Sequence, residues 1–117
     1  MWWNAAREFS LSGTVCDGYV IDVYDGTGLW MVMPIYDHYF KWNCVLKRAE
    51  IPSYVIRDNV QIEGKSFVTS VLKELILHKM VKVVCGEFDS RGRVTVSVFF
   101  EEEDASDYLN RVVELPV

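Results

Sequence analysis

The sequence predicts a mainly β fold with helices (α+β), a five-stranded barrel whose elements follow the order β-β-β-α-β-β-α. Three observations predict it. Runs rich in β-branched and aromatic residues recur between strong turn signals. A single long stretch, residues 65–79, carries helical periodicity instead. And 117 residues suffice for one core but not two.

Residues 14–23 form the first predicted strand and end at Asp25-Gly26-Thr27-Gly28, a sequence built for a tight turn. Residues 29–35 make the second, with Pro34 near its end, where an edge or bulge tolerates it. A turn at Asp37-His38 leads into the third strand, residues 39–47, and the three read as an antiparallel meander. Residues 53–64 have mixed polarity and read as a loop. In the helix, Phe67, Val71 and Leu75 form one i,i+4 row and Val68, Leu72 and Ile76 the adjacent one. That stripe is wide enough to plug a barrel end. Residues 80–88 and 93–100 are strands about the turn Asp89-Ser90-Arg91-Gly92, where Gly92 can take a positive φ. A last helix is expected from Ser106 as N-cap, with Asp107 in its first turn and Tyr108, Leu109, Val112 and Val113 buried. The acidic run Glu101-Glu102-Glu103-Asp104 reads as a solvated connection. A helix inserted after the third of five strands is the ordering of a partly open OB-fold barrel.

Composition bounds the function. Half the residues are hydrophobic and a quarter charged, without low complexity or repeats. No apolar run approaches a membrane span, and the N-terminus lacks the basic and apolar regions of a signal peptide. Cys16, Cys44 and Cys85 are odd in number and widely spaced, which argues for buried thiols in a reducing, intracellular setting rather than a zinc site. The net charge of −5 opposes binding to polyanions, because nucleic-acid affinity comes largely from displaced phosphate counterions. His38 and His78 stand without nucleophile partners, and no Gly-rich phosphate loop precedes a helix.

The order of motifs resembles the staphylococcal (thermonuclease) nuclease family across roughly residues 14–114. The first turn sits where that family has Asp-Gly-Asp-Thr. The stretch Ala49-Glu50-Ile51-Pro52-Ser53 matches the family's Asp-Thr-Pro-Glu, and Asp89-Ser90-Arg91-Gly92-Arg93 its Asp-Lys-Tyr-Gly-Arg turn. Asp107-Tyr108-Leu109-Asn110-Arg111-Val112-Val113 is similar to the next family helix. Phe40-Lys41-Trp42-Asn43-Cys44 resembles divergent members from large DNA viruses. The family's long third helix has no counterpart before Val117, and residues 1–13 read as an N-terminal extension to a single domain over 14–117.

The resemblance implies a chemistry that the residues then undercut. The family cuts phosphodiesters with Asp ligands for Ca²⁺, a Glu serving the attacking water, and two Arg residues on the phosphate. Here the second turn Asp is replaced by Thr27, the water-serving Glu by Ser53, and the strand-three Arg by Val45. Arg93 keeps the second Arg position, and Asp25 with Glu50 is the remaining candidate metal pair. Losing a positioned base costs ~10²–10⁴ in rate, and losing one transition-state donor ~10²–10³. Arg48 lies three residues from Val45, so strand alternation puts it on the opposite face. The expectation is therefore a catalytically degenerate nuclease-like domain acting as a binding or scaffolding module, for protein before nucleic acid. The alternative is residual Ca²⁺-dependent cleavage of DNA or RNA, and no other cofactor is expected. Arg91, Arg48, Lys41, Trp42 and Tyr39 are the candidate binding residues, with Trp2 and Trp3 as an oligomer contact.

Overall fold

A computed structural model describes residues 9–114; Trp2 and Trp3 lie outside the described residues. The chain runs β1 (Val15–Asp25), β2 (Gly28–Ile35), β3 (His38–Leu46), β4 (Tyr54–Arg57), β5 (Val60–Glu63), α1 (Gly64–Ile76), β6 (Met80–Phe88), β7 (Val94–Phe100), β8 (Glu103–Asp104) and α2 (Ala105–Glu114). Strands β3, β2, β1, β6 and β7 are neighbours in that order, and a parallel β3–β7 pairing closes them into a five-stranded barrel. This is the expected OB-like architecture, and its strands alternate as a barrel requires. Val20 and Val23 of β1, Leu29, Met31 and Met33 of β2, and Val94, Val96 and Val98 of β7 point inward and are almost wholly buried.

Helix α1 plugs one end. Val68, Leu72 and Ile76 are fully buried, while the parallel row Phe67, Val71 and Leu75 is half-buried at its flank. Burying a Leu or Ile side chain in this way stabilises by roughly 1.5–3 kcal/mol. The helix ends at Ile76, three residues before the expected end. Leu77 turns extended and His78 takes φ 61°, which lets His78 N–H donate to the Val20 carbonyl and joins the chain to β1. Gly64 opens the helix because the Pro52 carbonyl passes where a side chain would sit.

Four features differ from the sequence expectation. Residues 53–64 are not an irregular loop but the hairpin β4–β5, closed by Asp58-Asn59 with φ 51° and 65°. Both φ values are positive, as a two-residue type I′ turn requires. The acidic run is likewise structured: Glu101-Glu102 form another such turn, and Glu103-Asp104 pair with β7 as β8. Asp104, not Ser106, then caps α2. Its Oδ1 accepts from the N–H groups of Ser106 (2.8 Å) and Asp107 (3.2 Å), while Ser106 Oγ donates to the Lys47 carbonyl at 2.6 Å. A carboxylate can satisfy two free N–H groups and also meets the positive helix end, so it outcompetes the hydroxyl. Leu11, from the stretch assigned to the extension, is built into the core, and Gly13 N–H donates to the Cys85 carbonyl at 2.9 Å.

Candidate functional site

Arg93, Asp25 and Glu50 each have their own partners, in neighbourhoods that adjoin: Tyr24 reaches Arg93 and also lines the hollow of Asp25, and Ile51, next to Glu50, lies against Gly26. Arg93 stands at the start of β7, on the outer barrel surface. Its Nε donates to Asp89 Oδ2 at 2.8 Å, and the other oxygen of Asp89 accepts from the backbone N–H of Arg91 (2.9 Å) and Arg93 (2.8 Å). Asp89 is thereby the organiser of the turn. The Arg93 backbone N–H, above all, holds the Asp89 carboxyl below its ordinary range. The Arg93 guanidinium is raised above its ordinary value by the Tyr24 hydroxyl first and by Asp89 second. Tyr24, on β1, also donates to Asn43 Oδ1 on β3 at 2.6 Å, and its ring lies over Gly28, leaving no room there for a Cβ. Arg93 is thus tied into a Tyr24–Arg93–Asp89 group, its charge already matched by a carboxylate.

Asp25 follows Tyr24 at the end of β1 and pairs with Lys65 Nζ at 3.1 Å, in an open hollow of about 360 Å³ that Tyr24, Glu63, Ser66, Thr69 and Lys73 also line. Thr69 Oγ1 accepts from Gly26 N–H at 2.8 Å, which fixes the turn to α1. Glu50 lines a different hollow, of about 160 Å³, with Ile51, Pro52, Asn110 and Val113. Asn110 holds this segment at two points: its Oδ1 accepts from Glu50 N–H (3.0 Å) and its Nδ2 donates to the Arg48 carbonyl (3.1 Å). Arg48 has φ 59° and pairs with Asp104 at 3.3 Å.

The altered positions have structural tasks. Thr27 is buried and its carbonyl accepts from Leu46 N–H at 3.1 Å. Val45 packs between Gly28 of β2 and Thr95 of β7. The Ser53 carbonyl accepts from Gly64 N–H at 3.1 Å. The Ca²⁺ that the resemblance implies does not fit these residues. Asp25 is matched by Lys65 and Glu50 faces another hollow. No group of three or more His, Cys, Asp or Glu side chains able to hold a metal ion occurs among the described residues.

A different surface does converge. Tyr36, Tyr39 and Phe40, on the β2–β3 hairpin, are 75%, 79% and 48% exposed. Phe9 and Phe88 approach from the side. Ring centroids run Tyr36–Phe9 at 6.3 Å, Phe9–Phe88 at 6.0 Å, Phe88–Trp42 at 6.5 Å and Trp42–Phe40 at 6.2 Å. Between them lies a groove of about 350 Å³, lined by Phe9, Ile35, Tyr36, Phe40, Lys41 and Trp42. Trp42 Nε1 is buried with no acceptor among the described residues. Sequence reasoning found Tyr39, Lys41 and Trp42 here. It missed Phe9 and Phe88, which only the fold brings in, and also the Tyr24–Asn43 pair beside Arg93. Arg91 is exposed in its turn and belongs to neither cluster.

No helix among the described residues is long and apolar enough to cross a membrane. Cys16, Cys44 and Cys85 are all free, and burial pushes the Cys44 thiol up to about 12 and the Cys85 thiol to about 11. No protein-family model matches the chain, and no curated protein sequence matches it either.

Proposed function

We propose that this chain is a protein-binding module on a nuclease-like OB barrel, descended from the staphylococcal nuclease family and without its hydrolytic chemistry. The observation that carries the reading is the aromatic groove of Phe9, Tyr36, Phe40 and Trp42 beside exposed Tyr39. Contiguous exposed apolar surface of this kind marks interaction sites, and buried aromatic anchors dominate the energy of protein interfaces. The pairing of Asp25 with Lys65 and of Arg93 with Asp89 supports the other half of the proposal: both charges are already matched, and no third carboxylate completes a metal-holding group among the described residues.

Protein is favoured over nucleic acid on charge. The chain carries −5 overall, and Lys65, Lys82, Arg48, Arg93 and Arg111 are each paired with a carboxylate. Those pairs hold five of the twelve Lys and Arg side chains, which reduces the cations free to displace phosphate counterions. The test is a fluorescence titration against single- and double-stranded oligonucleotides at low and moderate salt. The expected result is no saturable binding at either. Binding that weakens steeply as salt rises would replace the protein reading with a nucleic-acid one.

A further inference from the structure

Strand β3 is longer than the strand it closes against. β2 accompanies it from the Ile35↔His38 pair to the Gly28↔Val45 pair, whereas β7 meets only Cys44, Val45 and Leu46. The first half of β3 therefore has one backbone edge with no strand beside it among the described residues. Alternation decides which groups face that edge. Leu46 N–H donates to the Thr27 carbonyl, towards β2, and Lys47 N–H donates to the Val96 carbonyl, towards β7. Stepping back in twos from Lys47, the N–H and C=O groups of Lys41 and Tyr39 point to the β7 side, past the end of β7. Neither residue's backbone has a hydrogen-bond partner on that side among the described residues.

The side chains along this edge are equally suited to a visitor. Phe40 and Trp42 share the face of Met33 and Met31 and form the wall of the aromatic groove. Tyr39 and Lys41 lie on the opposite face. Lys41 makes no ion pair among the described residues, although Asp22 lines the same outer hollow.

We infer that this edge of β3, open among the described residues, captures an extended segment of a partner protein by strand addition, a segment apolar on one face and carrying a carboxylate opposite Lys41 on the other. The inference rests on the reading of the chain as a protein-binding module. The incoming strand bonds the N–H and C=O groups of Tyr39 and Lys41. One alternating set of its side chains, apolar, enters the groove against Phe40 and Trp42. The other set carries a carboxylate to Lys41. Main-chain bonds supply affinity in such complexes, and pockets for alternate side chains supply specificity. Charge selects a foreign strand over a second copy. Edge-to-edge pairing of two β3 strands puts both Lys41 ammonium groups on one face, directly opposite or one diagonal apart, where like charges repel.

The experiment uses the full chain, isotopically labelled, and a synthetic peptide of alternating valine and glutamate. Comparison peptides are the valine–lysine version and two valine–glutamate versions, each N-methylated at one of the two alternating sets of backbone nitrogens. The valine–glutamate peptide is expected to slow amide exchange at Tyr39 and Lys41. The lysine version should bind about threefold to tenfold more weakly, and Lys41→Glu should reverse that preference. N-methylation of one set should abolish binding while the other is tolerated, because an added strand offers only alternate N–H groups to its neighbour. That readout needs no variant protein. The inference falls if both methylated peptides bind alike, if no peptide binds, or if binding leaves Tyr39 and Lys41 unprotected. It falls too if these amides are already protected in the free chain. Concentration-dependent protection then identifies a second copy, and concentration-independent protection a segment of the chain itself. None of these outcomes overturns the module reading, which fails instead on salt-dependent oligonucleotide binding.

Discussion

Replacing Gly64 by alanine separates the tertiary account from local propensity, because the two predict opposite signs. Propensity alone favours alanine inside a helix by about 1 kcal/mol. In the structure, a Cβ at position 64 would lie 1.7 Å from the Pro52 carbonyl oxygen and 2.6 Å from its carbonyl carbon. Comfortable separations are about 3.5–4 Å. Both offending atoms are backbone, so no side chain can swing away. The segment at Pro52 and the first turn of α1 must part, which also removes the Gly64 N–H bond to the Ser53 carbonyl, 3.1 Å long. That bond is worth about 1 kcal/mol, and overpacking of this kind costs about 1–3 kcal/mol. After the propensity gain, Gly64→Ala should destabilise by about 1–3 kcal/mol, lowering Tm by about 4–15 °C. Thermal and urea unfolding measure it directly. Gly92→Ala is the comparison: nothing lies within 4 Å of its added Cβ, and only its φ of +78° is at stake, a cost of about 1–2 kcal/mol. A Gly64→Ala protein as stable as the parent would refute the placement of Pro52 against α1.

Two further perturbations follow from the same geometry. Cys44 is buried, chiefly by desolvation raised from 9.0 to about 12. The unfolded thiol ionises first, so its stabilising contribution is complete below about pH 9 and shrinks as pH rises towards 12, by about 1 kcal/mol at pH 10. Urea unfolding at pH 8 and pH 10 should show a smaller alkaline loss in Cys44→Ala than in the parent; equal losses would contradict the burial. Asp89 has a depressed carboxyl pKa, so the turn it organises is intact above the ordinary carboxylate range of about 3.9 and loosens only as pH falls through the lower, folded value. Asp89→Asn should speed amide exchange at Arg91 and Arg93 several-fold at neutral pH, and unchanged rates would show that Gly92 alone sets the turn.

The barrel was legible because its five strands are long and carry their β-branched residues in alternation, and because α1 has a doubled apolar row. The hairpin β4–β5 was not: its strands are four residues each, mostly exposed, and their only strong sign is Asp58-Asn59. The Asp104 cap was hidden behind a better-looking Ser106, whose hydroxyl the fold directs to Lys47 instead. For the site, the sequence named Asp25 and Glu50 as the candidate metal pair. It did not reveal that Asp25 is spent on Lys65, forty residues away, because that pairing depends on where α1 docks. Nor could it reveal the open edge at Tyr39 and Lys41. That edge arises from the register between β3 and β7, a relation between distant strands that neither strand's composition encodes.

The most direct test of the central claim, that the surface binds and does not cleave, is a nuclease assay on highly purified protein. Labelled DNA and RNA are incubated with the parent chain and with Arg93→Ala, each in Ca²⁺ and in chelator. The account predicts the same background in all four conditions, because Arg93 is already matched by Asp89 and Asp25 by Lys65. Ca²⁺-dependent cleavage by the parent that disappears in Arg93→Ala would contradict it.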